Sequence, residues 1–127
     1  MIINVAISLG ELIDKISILL IKKKNIKDKK KLEFIKQELQ ILQNTLDQSL
    51  DNKKIELYLN KLISINSQLW KIEDEIRDCE REKNFDQKFI DLARSVYITN
   101  DKRSALKLEI NNLFGSKLVE VKSYEKY

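Results

Sequence analysis

"LARSVYITNDKRSALK", residues 92–107, carries apolar side chains at helical spacing, yet Arg94, Asn100, Arg103 and Lys107 stand among them. On a helix Val96, Asn100, Arg103, Lys107 and Ile110 share one face, with Arg94 and Tyr97 on its flank. Polar groups thus take core-like positions. A fold for this chain has to bury the helix and partner those groups together, because a buried unpaired charge is strongly destabilising.

The stripe opens at Phe89, Leu92, Ala93 and Val96 and resumes at Leu106, Ile110 and Leu113. Asp86, closing "KNFD", is placed to cap this fourth helix, and Thr99, Asn100 and Asp101 predict either a kink or a fresh helix start. Upstream, a third helix is predicted from about Asp51, its N-cap, to Arg81, with the stripe Ile55, Leu59, Leu62, Asn66, Leu69, Glu73 and Ile76. At 1.5 Å per residue it extends on the order of 45 Å. Asn66 and Glu73 interrupt its stripe as Asn100 and Arg103 interrupt the next, and Trp70, Asp74 and Arg77 lie alongside.

The first half of the chain follows the same rules. "INVAI" at residues 3–7 is β-branched and reads as a short strand, and Ser8 with Glu11 forms a capping box for a first helix through about Lys24. Leu9, Leu12, Ile13, Ile16, Leu19 and Leu20 make its apolar face, and Glu11, Asp14 and Lys15 its polar one. "KKKNIKDKKK" reads as a solvated turn. Leu32, Ile35, Leu39, Leu42 and Leu46 define the second helix, closed by "DQSLDN". Gly115 stands where a helix C-terminus takes left-handed backbone, and "LVEVKSY" after it alternates like a strand.

Composition agrees with helices. Neither proline nor an interior glycine interrupts them, since Gly10 and Gly115 are the only glycines, and 43% apolar with 35% charged residues suits amphipathic elements. The reading is a single, mostly α domain over residues 1–127, a hairpin bundle of long antiparallel helices with a minor terminal β element. The length of the third helix predicts a helical hairpin or a coiled-coil partner, and a homodimer through the long helices is expected, with exposed stripe residues such as Leu59 and Leu62 at its interface.

Charge and residue types narrow the chemistry. The net charge of +4, from 24 basic and 20 acidic residues spread along the chain, lends no support to nucleic-acid binding. Cys79 is the sole cysteine and histidine is absent, which excludes an internal disulfide, the usual zinc clusters and the Cys-His and Ser-His catalytic pairs. No cofactor is expected. Glu11 and Asp14 share one helical turn, a weak pattern for Mg²⁺ and a common one for a solvated face, so no metal site is expected. The apolar stretch near the start is broken by Glu11, Asp14 and Lys15, so neither a membrane span nor a signal peptide is expected, and the protein is expected to be cytoplasmic.

Arginine usage singles out one region. The chain has 20 lysines and 4 arginines, and Arg77, Arg81, Arg94 and Arg103 all fall within residues 77–103, beside three of the lysines. Guanidinium offers a planar fork that grips carboxylate or phosphate through two hydrogen bonds, which ammonium cannot. Two readings of this seam stay open. In one, Asn66, Glu73, Arg94, Asn100 and Arg103 satisfy one another and fix helix register. In the other, Asn66, Trp70, Glu73, Arg77, Arg94, Tyr97, Asn100, Arg103 and Lys107 line a cleft for a small anionic ligand such as phosphate, a sugar nucleotide or a dicarboxylate. Enzymatic chemistry, without histidine, would have to draw on Glu73, Asp74, Tyr97 or a perturbed lysine. The tail residues Lys122, Ser123 and Tyr124 either fold over the seam or fray.

The segments "SLGELIDKISIL", "INSQLWKIEDEIR", "LARSVYITNDKRSALK" and "GSKLVEVKSY" together resemble a family of uncharacterised small helical domains of bacteria and phages. Members stand alone or beside glycosyltransferase-like and repeat regions, which implies a role near carbohydrate assembly and supplies no activity or site residue. "ELIDKISILLIKKK" is also similar in rhythm to the first helix of the all-helical chorismate mutases, which bind a dicarboxylate through Arg and Lys on packed helices. That fold places an arginine early in its first helix, and residues 9–24 here contain none, so the likeness implies an anion between helices and not that rearrangement.

Overall fold

In the computed structural model, residues 1–50 and 53–127 are described, and four helices account for most of them: α1 Leu9–Asn25, α2 Lys29–Ser49, α3 Lys53–Arg81 and α4 Gln87–Leu113. The expected Asp51 cap lies outside the described residues. Helix starts follow the capping side chains: Ser8 accepts from the Glu11 N–H, Asp28 from Lys31 and Asp86 from Lys88. The lysine-rich stretch is mostly helix, not a turn. Its first residues end α1 and its last begin α2, leaving only 26–28 as the link.

α1 is the hub. Among the described residues it packs along α2, α3 and α4, α3 pairs with α4, and α2 packs chiefly on α1. Leu12, Ile13, Ile16, Leu62, Leu106 and Ile110 form the centre of the core, joined by Leu46, Ile55 and Tyr58. Contacts along α3 and α4 run in opposite order, Tyr58 with Glu109 and Asn66 in the network of Arg103, so the two are antiparallel. Because three helices surround α1, part of its supposed polar face is inside: Asp14, like Ser17 next to it on the helix, has no exposure at all, whereas Glu11 is partly buried and Lys15 is exposed. Leu62 is likewise wholly buried and Leu59 packs on the core, so the stripe expected to hold a second chain is used within one.

α4 runs through Thr99, Asn100 and Asp101 as one helix without a restart, and Thr99 is buried in it. Gly115 has φ +68°, and the Ser116 N–H donates to Asn111 O at 2.9 Å, which closes the helix as expected of a left-handed C-terminal glycine. No strand forms among the described residues, so the expected terminal β element is absent. The two ends start side by side, where the Leu9 N–H donates to Ser116 Oγ, and then part. The first borders a groove with Ile41, Leu42 and Thr45 of α2, while the last folds back along α4 as far as Asp101.

Candidate functional site

The centre of the polar seam is a carboxylate the sequence reading placed in solvent. Asp14 Oδ1 accepts from Arg103 Nε at 2.9 Å and from Asn66 Nδ2 at 2.9 Å, and Asp14 Oδ2 accepts from Arg103 Nη2 at 2.5 Å. Asn66 Nδ2 also donates to Ser17 Oγ at 2.7 Å, and Ser17 donates on to the Asp14 carbonyl at 2.6 Å. The network is closed on its inner side. The hydrogen bond to Asp14 raises the Arg103 pKa further, against the opposing effect of burial.

One turn on, Lys107 continues the seam outward. Its ammonium lies 2.7 Å from Glu11 Oε2 and 2.7 Å from Glu120 Oε2, while Lys122 meets the other Glu120 oxygen at 2.5 Å. Burial pushes the Lys107 pKa down, and the hydrogen bonds to Glu11 and Glu120 outweigh it, so the net shift is upward. Glu120, held chiefly by Lys107 and then by Lys122, has its pKa lowered to about 2. The α1–α4 crossing that brings these groups together depends on Gly10. A Cβ there would stand 2.5 Å from the Lys107 carbonyl oxygen, and the Gly10 N–H donates to Asn111 Oδ1 at 2.7 Å. That bond fixes the amide of Asn111, 1% exposed, and leaves its Nδ2 without a partner.

Two open clefts flank Arg103 and Asn100, which line both. The larger, about 660 Å³, lies between α4 and the C-terminal tail, with Arg103, Lys107 and Lys122 as its cations and Tyr97, Tyr124 and Tyr127 as its rings. Tyr127 meets Tyr97 edge-on at 5.3 Å and donates its hydroxyl to Asp101 at 2.8 Å, which raises the Tyr127 pKa. The second, about 470 Å³, is bounded by Asn66, Trp70, Glu73 and Arg77.

Of the residues singled out from sequence, Asn66, Trp70, Glu73, Arg77, Tyr97, Asn100, Arg103 and Lys107 all reach one cleft or the other. Arg94 is exposed and lines neither. Glu73 does not balance the interhelical seam; it pairs with Arg77 on its own helix, the arginine exposed and the glutamate half-buried. Arg81 similarly pairs with Asp78, so of the clustered arginines Arg103 is the one that forks onto a carboxylate of another helix. Asp14, Ser17, Glu11, Gly10 and Glu120 were missed as members of the seam. Asp14 and Ser17 left a trace, since the apolar residues of α1 flank them on both sides. Among the described residues no group of three or more His, Cys, Asp and Glu is arranged to hold a metal ion, and no helix is long and apolar enough to cross a membrane.

No protein-family model, curated protein or solved structure matches this chain. The functional reading therefore rests on this geometry.

Proposed function

We propose that the protein is a helical binding module that takes a small anionic ligand in the groove between α4 and the C-terminal tail. The seam divides between its two readings. Asp14, Ser17 and Asn66 are a structural brace that orients the Arg103 guanidinium, while the outer cations look into the groove. The observation that carries this is Arg103 itself: its Nε and Nη2 are held by a wholly buried carboxylate, Nη1 donates to Asn100 Oδ1 at 3.5 Å, and both residues line the two clefts. A donor arranged in advance binds an anion without the cost of ordering it first. Tyr97 and Tyr127 supply ring surface for the rest of the ligand.

The test is the melting temperature of the full chain with benzoate, inorganic phosphate, a dicarboxylate and a sugar nucleotide. At least one should raise it, and Lys122→Gln, exposed and outside the core, should remove the rise. A panel without effect contradicts the reading.

Self-association is a second reading, favoured by the exposed apolar start of the chain, where Ile2, Ile3 and Val5 are each about two-thirds or more exposed. Light scattering over a range of concentrations tests it, and a constant monomer mass removes it.

A further inference from the structure

The outer ammonium pair already grips a carboxylate, one ammonium to each oxygen of Glu120. Glu120 belongs to a segment without helix or strand, whose residues 117–127 are all exposed. The tail keeps two further ties to α4, the Tyr127 hydroxyl on Asp101 and an edge-on contact with the Tyr97 ring. The Glu120 side chain on this exposed segment can therefore swing out of the groove while Lys122, two residues further on, stays beside it. The inner partners of the seam, Asp14 and Glu11, sit on α1 and stay in place.

We infer that Lys107 and Lys122 form a carboxylate-binding point in the groove, and that Glu120 is its tethered stand-in, displaced by a ring-bearing monocarboxylate. This rests on the groove being an anion site. Charge selects the class. With Asp14 still on Arg103 and Glu11 still on Lys107, departure of Glu120 uncovers one positive charge, that of Lys122, and one carboxylate restores the balance. A phosphate dianion would leave a negative excess in a groove that also holds Asp101 and Glu125. The Tyr97 ring, 46% exposed and beside Val96, offers a flat face for the ligand's ring.

Benzoate, acetate, benzyl alcohol and inorganic phosphate, titrated into the full chain and into Glu120→Gln, separate the alternatives through the amide NMR shifts of residues 97–107. Benzoate should bind both proteins, and Glu120→Gln about tenfold or more tightly, because a tethered competitor acts at an effective concentration in the millimolar range. Adding Lys122→Gln to Glu120→Gln should abolish the gain. Equal affinities in the two proteins, or phosphate binding more tightly than benzoate, would overturn the inference and leave the anion reading standing. Benzyl alcohol matching benzoate, or no probe moving any shift, would overturn both.

Discussion

Asp14 accepts from Arg103 twice and from Asn66 once with no exposure to solvent, so its replacement by asparagine strands a guanidinium whose side chain is only 27% exposed. Asp14→Asn is expected to lower unfolding free energy by about 3 kcal/mol, the low end for breaking a buried pair because Arg103 keeps some water. Urea denaturation measures this, and a double-mutant cycle with Arg103→Gln should show the two losses to be strongly non-additive. At Gly10 the obstacle is backbone, the Lys107 carbonyl oxygen, which cannot rotate aside. Gly10→Ala should therefore cost about 2 kcal/mol by overpacking, and denaturation again reads it. Arg103 and Asn66 were legible in the sequence because each breaks an apolar stripe. Asp14 left only a trace, its apolar flanks, because a polar residue beside Lys15 looks solvated until α1 is known to have neighbours on three sides.

At the level of elements, all four helices were legible from apolar spacing and caps, and the strands were not realised. β-Branching in "INVAI" and alternation in "LVEVKSY" favour extended backbone; whether two such segments pair depends on where each is drawn, and Lys107 draws the second along α4. Glu120 left no mark in the sequence, since an extended tail has no periodicity to break. Its role in holding the tail has a pH signature. A carboxylate whose folded pKa is lowered to about 2 contributes stability that is fully present above its ordinary value near 4.5 and is lost as pH falls toward 2. The difference in melting temperature between the wild type and Glu120→Gln should hence be level above about pH 5 and shrink steadily below it. A difference that grows on acidification would contradict the ion pairs with Lys107 and Lys122.

For the molecule as a whole, the hub position of α1 decides what a core substitution does. Leu62, wholly buried among α1, α3 and α4 residues, should on change to alanine cost about 3 kcal/mol by cavity formation and leave the mass in light scattering unchanged. A change of mass at unaltered stability would instead return Leu62 to an interface between copies. The same architecture separates two kinds of basic surface: the lysines at the α1–α2 junction, solvated and open, and the cations collected under the tail. Non-specific attraction of anions acts on the first, a built site on the second. Amide shift mapping of the full chain during titration with a small carboxylate distinguishes them most directly. Saturable shifts confined to residues 97–107 and 120–127 are expected; shifts confined to residues 22–31, rising without saturation, would contradict a site in the groove.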